Sequence, residues 1–315
     1  MINRTLVRTR VIQTMFAYCQ DPENTPSSAK KDLLKGFADT YSLYMQLLEL
    51  INEITRYAEQ QIEENIQRAK VTHRTYTPNR RFVDNRFAKQ LFENRTLRHY
   101  VTEEKLGWDY GMNAVVSLYK EITASSIYRQ YMTDETDSYA NDRRLWRKIF
   151  ELFVPANEEL PSALDEMEVQ TDRQNWNTDL ETVSSYVVKT IRAFHEDSTP
   201  DQPLLEMFDT EEELNFGVQL LEHAIEKRQQ YDELISRHLR NWDVKRLAYM
   251  DQIILYVALA EILNFPEIAL EVSLNEYLEL AKEYSSEKSH IFINGLLDVI
   301  LKSLNEDDAL VKQVR

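Results

Sequence analysis

Three groups of residues in this chain of 315 have types and spacings that could do chemistry. The first is Arg4, Arg8 and Arg10, close together at the start of the chain. The second is the stretch 68–100, where Arg68, Lys70, Arg74, Arg80, Arg81, Arg86, Lys89, Arg95 and Arg98 face only Asp84 and Glu93, nine positive charges against two negative. Tyr76, Phe82, Phe87, Phe92 and Tyr100 are interleaved with them, a pattern suited to phosphate contacts combined with base stacking. The third is Lys288, Ser289 and His290, at the expected start of the last helix, where helix amides and side-chain donors could meet a phosphate. All three describe binding of an anion rather than the making or breaking of bonds. Each also has a plain structural explanation. The arginines can be a solvated helix face, the phenylalanines core, and the serines helix caps.

Catalysis is not expected. The five glycines, Gly36, Gly107, Gly111, Gly217 and Gly295, are scattered and form no phosphate loop or dinucleotide fingerprint. The six histidines show no metal-ligand spacing, and Cys19 alone cannot build a zinc site. Carboxylate pairs are abundant, but in a chain of net charge −16 they are solvated surface. No catalytic residue, metal or cofactor is assigned. The same charge argues against general affinity for nucleic acid, so phosphate binding would need a local basic patch. A single cysteine fits a reducing compartment. Arginines interrupt any signal-like run at the start, and the longest apolar run, IILYVALA, is too short to cross a bilayer. A soluble cytoplasmic protein is the expectation.

The elements that must position these groups are helical, because the chain is poor in glycine and rich in Leu, Glu, Ala, Lys and Tyr. A first helix spans 4–18 with Val7, Val11, Met15 and Tyr18 on one stripe. A long helix spans 30–67 with Phe37, Tyr41, Tyr44, Leu48, Ile51, Ala58 and Ile62 along one side, like a bundle strut. Helices are expected at 102–131, 141–153 and 178–195, the last opened by a capping box of Thr178 and Glu181. PANEELPSALDEMEVQ reads as an acidic loop or a short helical turn. Thr210 and Glu213 are the expected caps of a further helix. Asp243 is the expected N-cap of a central apolar helix that Pro266 ends, with Trp242 and Leu247 as a hydrophobic staple. Ser273 and Glu276 form another capping box. In the last helix Phe292, Leu296, Val299 and Ser303 mark one face, with Ile293, Leu297 and Ile300 beside it. Gly295 inside it suggests a close backbone neighbour.

The succession NW…RL…D..IL..A..E, then SLNEYLELAK, then S.KSHIFINGLLD resembles the C-terminal half of the NusB family of transcription antitermination factors. The opening RTLVRTRVIQTMFAY resembles that family's first helix. Under this resemblance the fold is all-α, a NusB-like helical bundle of two subdomains with an additional helical insertion. The divisions are 1–20 for the first helix, 21–200 for the extension with its basic segment 68–100, 201–304 for the C-terminal half, and 305–315 for a tail. The implied function is binding of a boxA-like single-stranded leader RNA jointly with the ribosomal protein NusE. That assembly would form part of an RNA polymerase antitermination complex supporting ribosomal RNA transcription.

Carried over by position, Arg4, Arg8, Arg10, Lys288, Ser289, His290 and Phe292 would face RNA, and Phe16 and Asp251 the protein partner. Lys288 stands where some members have an acidic residue. Arg74, Arg80 and Arg81 are candidates for extra RNA contacts from a mobile connection. The rivals are a helical protein–protein adaptor that keeps the fold without binding RNA, and an RNA methyltransferase, whose glycine-rich cofactor motif is missing here.

Overall fold

The computed structural model describes residues 1–239 and 247–306. Every regular element among them is helical. In chain order these are α1 Arg4–Gln20, α2 Pro26–Val71, α3 Arg86–Glu93, α4 Arg95–Glu103, a single 3-10 turn Asp109–Gly111, α5 Met112–Ala124, α6 Ser126–Thr133 and α7 Tyr139–Leu152. There follow α8 Glu159–Thr171, α9 Trp176–Ala193, α10 Glu211–Glu226, α11 Arg228–His238, α12 Tyr249–Asn264, α13 Leu270–Tyr284 and α14 Ser289–Glu306. The all-α expectation holds. No helix among the described residues is long and apolar enough to cross a membrane.

The chain folds as two compact units. One comprises residues 1–37 and 207–315, the other residues 38–206, and α2 begins in the first and continues in the second.

In the first unit the organising element is α12. Ile253, Ile254, Leu255, Val257, Ala258, Leu259 and Ala260 are all fully buried, so the helix has no solvent face over this run. It packs against α1, α10, α13 and α14. The helix ends at Asn264, two residues before Pro266, as the proline requires. Its expected cap, Asp243, and the staple residue Trp242 lie outside the described residues, and α12 itself starts at Tyr249 without a side-chain cap. Gly217 of α10 is where a close approach decides the residue. A Cβ there would sit 2.8 Å from Val7 Cγ1 and 3.1 Å from Phe37 Cζ, both in the core. Gly295 is the opposite case: a Cβ at that position would meet nothing within 4 Å, so no neighbouring backbone explains it. The last helix buries Ile293, Leu296, Leu297, Ile300 and Leu301, whereas Val299 is exposed and Phe292 half-buried. The stripe drawn through Phe292 and Val299 is therefore displaced towards the flank of the true core face.

In the second unit α2 is more than a strut. Leu43, Tyr44, Met45, Gln46, Leu47 and Leu48 are all fully buried, which no one-sided stripe allows. Several buried polar atoms around it find partners: Tyr44 Oη lies 2.6 Å from Thr190 Oγ1, and the indoles of Trp176 and Trp108 donate to the carbonyls of Asp39 and Gln46. Three expectations fail here for local reasons. The acidic stretch before 171 forms a full helix, α8, because Leu160, Ala163, Leu164 and Met167 recur at helical steps and bury one face. Pro161 is harmless in its first turn, where amides lack helical partners. The 102–131 span breaks at Lys105, in the left-handed region at φ 52, and again at Ser125, whose hydroxyl caps α6. Thr178 is not a cap, since α9 starts earlier, at Trp176, and its first amides donate to the Glu168 carboxylate.

The two glycines of the first unit should therefore respond oppositely. Gly217→Ala gains helix propensity but forces Val7, a stiff β-branched residue, and should lower stability by about 1 kcal/mol or more. Gly295→Ala should raise it by up to about 1 kcal/mol. Urea denaturation of each variant measures both.

Candidate nucleic-acid interface

The centre of the first unit is a buried ion pair that sequence reasoning did not identify. Arg8 of α1 donates from Nε to Glu261 Oε2 at 2.7 Å and from Nη2 to Oε1 at 2.9 Å, a two-pronged contact between residues 253 positions apart. Glu261, at the end of the apolar run of α12, is fully buried, and Arg8 is 2% exposed. The carboxylate also accepts from Ser273 Oγ at 2.6 Å and Tyr277 Oη at 2.8 Å, both on α13. Arg8 Nη1 reaches Glu276 at 3.4 Å. Burial alone pushes the Glu261 carboxyl up, but the Arg8 guanidinium and the two hydroxyls outweigh it and hold it below the ordinary carboxylate value. Burial likewise opposes the charge on Arg8, and the pairing with Glu261 prevails and raises it. Burial, then the Glu261 charge, drives the Tyr277 phenol far up, so it remains a donor.

This arrangement corrects two expectations. Ser273 and Glu276 do not cap α13, which opens at Leu270; they serve the Arg8–Glu261 pair. Arg8 is not a solvated cation on a helix flank, and a phosphate would have to displace Glu261 to reach it. The sequence signal was available in the run IILYVALAE, because a carboxylate closing an otherwise apolar helix demands a cation from elsewhere.

The other named residues divide between surface and interior. Arg4 is exposed, its guanidinium carbon 5.2 Å from the centre of the Phe216 ring; that of Arg8 lies 5.5 Å from the same ring. Arg10 is 2% exposed, bonded to Gln13, with its stem against α2 beside Gly36. It too is an interior side chain rather than a phosphate contact. Lys288 is exposed just before α14, and His290 and Phe292 are half-buried within its first turn. Ser289 is buried and bonded inward: its hydroxyl donates to Asp251 Oδ2 at 3.0 Å and meets the hydroxyls of Ser285 and Ser286. Asp251, also buried, accepts from Ser285 as well, so this pair ties the α13–α14 corner to the start of α12. The carboxylate expected to meet a partner is turned to its own chain. Phe16 is half-buried and packs edge-on against Tyr249, ring centres 5.2 Å apart. A cavity of about 650 Å³ opens beside this corner, lined by Asp251, Phe292 and Gly295 among others.

The basic segment belongs to the second unit. Most of its arginines neutralise that unit's own acids: Arg86 pairs with Asp142 and Asp137 at 2.8 Å, Arg95 with Asp201 at 2.9 Å, and Arg80 with Glu59 and Asp84. Arg81 donates to the carbonyls of Asp134 and Thr136 and stacks on Tyr131, and Asn79 bonds to the Met132 carbonyl. The second half of the connection is thus fastened down. Arg74 is exposed. Phe82 and Phe87 are core, against Tyr128 and Trp146 in one case and Phe194 in the other. They cannot stack on bases.

An all-helical unit, pinned by a buried arginine–glutamate pair with surface cations at two helix starts, defines the class. The family model described as the NusB family matches residues 182–302. Relatives named "Transcription antitermination protein NusB" include one from Carboxydothermus hydrogenoformans, 42% identical over 93 residues, 30% of this chain and 65% of that protein. One from Salinibacter ruber is 36% identical over 101 residues, 32% of this chain and 63% of that protein. One from Bacillus licheniformis is 37% identical over 108 residues, 34% of this chain and 84% of that protein. The chain belongs to the NusB family. It spans somewhat less than two thirds of the length of the first two relatives, 65% and 63%.

Breaking the buried pair has a definite cost. Arg8→Ala leaves Glu261 charged and uncompensated and should destabilise the protein by about 3–5 kcal/mol, whereas Arg8→Met with Glu261→Leu should cost much less. The pair also sets an acid response. Because the folded carboxyl titrates below its unfolded value, its contribution is complete above the unfolded value of 4.5 and is lost as pH falls through the folded one. Urea unfolding below about pH 4.5 should therefore weaken the parent more steeply than the Arg8→Met, Glu261→Leu variant. Equal slopes would show that Glu261 titrates normally.

Proposed function

We propose that this protein is an RNA-binding transcription antitermination factor, which binds a boxA-like leader RNA together with the ribosomal protein NusE and supports ribosomal RNA transcription. The observation that carries the reading is the similarity to the antitermination protein of Bacillus licheniformis over 84% of that protein's length. Arg4, Lys288, His290 and Phe292 are the accessible part of the RNA set in this reading. Arg4 and Lys288 hold phosphates, and the ring residues near the start of α14 meet unpaired bases. Arg8, Arg10 and Ser289 support that surface from beneath. The half-exposed pair Phe16 and Tyr249 offers an aromatic patch to the protein partner. The net charge of −16 complements a basic ribosomal protein and would steer the encounter.

One observation favours the adaptor alternative. Two of the three arginines of the first helix are interior, which leaves this surface with less positive charge than the sequence suggests. Salt dependence separates the two readings. Affinity for a ribosomal leader RNA should be weak alone and tighten with NusE by a coupling of about 1–3 kcal/mol. Arg4→Ala should reduce the log–log salt slope by about 0.7, the value for one phosphate contact on a single strand. Its fold should survive, because the side chain is exposed. Fluorescence anisotropy titrations with and without NusE give both quantities. A parent affinity that ignores salt and partner alike would sustain the adaptor.

A further inference from the structure

The second unit contains its own cavity, of about 640 Å³, between the middle of α2, the turn before α3 and α3 itself. Its lining residues, all between 52 and 92, lie outside the region that the family model matches. Three of them are unusual together. Phe92 is 47% exposed, and Arg98 places its guanidinium carbon 5.0 Å from the ring centre, so the ring is held in place while much of it stays open. Asn52 is 6% exposed; its Nδ2 donates to Glu49 Oε2 at 2.7 Å, and its Oδ1 has no donor. A buried acceptor without a donor is costly, and an occupant bringing an N–H would relieve it. Lys89 is exposed and has no ion-pair partner among the described residues, and it stands one helical turn before Phe92 on the same side of α3.

We propose that this cavity binds one nucleotide of a single-stranded RNA. The base stacks on Phe92, a base-edge N–H serves Asn52 Oδ1, and the adjoining phosphate is neutralised by Lys89. Ring, orphan acceptor and uncompensated cation are the three needs of base, base edge and phosphate. Arg80, also at the cavity, is already held by Glu59 at 2.9 Å and Asp84 at 3.3 Å, which disfavours an extended acidic peptide needing several free cations. The site goes beyond the antitermination reading, because the region that carries the family match contributes nothing to it.

The test uses the full chain and a fluorescein-labelled 12-nucleotide oligo(rC), titrated at several salt concentrations. Phe92→Ala should weaken binding about tenfold, the contribution of stacking on one aromatic side chain. Lys89→Gln should lower the log–log salt slope by about 0.7. Parent-like binding by both variants overturns the proposal. Arg4→Ala is titrated in parallel: loss there with none at Phe92 leaves the antitermination reading standing and removes this site, and the reverse pattern does the opposite. If poly-glutamate rather than RNA binds and depends on Phe92, the cavity is a protein site and the nucleotide assignment fails. A second measurement needs no variant. Parent protein is photo-crosslinked to a 4-thiouridine-containing 12-mer and digested with trypsin. A crosslink on the peptide carrying Phe92 supports the site, and crosslinks confined to residues 1–37 and 207–315 overturn it.

Discussion

The first unit depends on one constraint: two opposite charges must be buried together or not at all. Glu261 closes a helix whose preceding turns are entirely apolar, and Arg8 comes from the far end of the chain to meet it. A buried pair of this kind adds little net stability, since desolvating both ions offsets most of their attraction. Its consequence is registry. Any sliding of α1 along α12 would strand a carboxylate that also organises Ser273 and Tyr277 of α13. Three helices are thereby fixed by one group, and Arg4 at the start of α1 inherits its position from it.

A second corner follows the same logic on a smaller scale. Asp251 gathers Ser285 and Ser289, so the turn between α13 and α14 is held to the first turn of α12. The start of α14, with Lys288 and His290, is displayed by that corner. Polar residues that a family resemblance assigns to ligands can therefore be internal supports of a helix corner.

In the second unit the charge of the basic segment is mostly answered within the unit. Arg80, Arg86 and Arg95 pair with carboxylates from α2, the α6–α7 turn and the stretch after α9. A run of like charge in sequence is not a patch of like charge in space. What remains open at the cavity is small and specific, an exposed lysine and an exposed phenylalanine one turn apart, and this makes that cavity chemically distinctive.

Much of the fold was legible in the sequence. Helical periodicity, Pro266 and the scarcity of glycine specify an all-helical chain, and the ordered motifs near the C-terminus specify the family. Local pattern also contained α8, whose apolar steps outweigh its acidic composition. The faces of individual charges were not legible. Arg4 and Arg8 are one turn apart on the same helix, and nothing in their spacing separates the exposed one from the buried one. Ser273 and Glu276 have the spacing of a cap, and only the position of Glu261 makes them ligands of a buried pair. Periodicity is a property of neighbours along the chain, and helix starts and apolar stripes are set by it. The fate of a charge is set by its partner, which for Arg8 lies 253 residues away, and only the tertiary structure brings the two together.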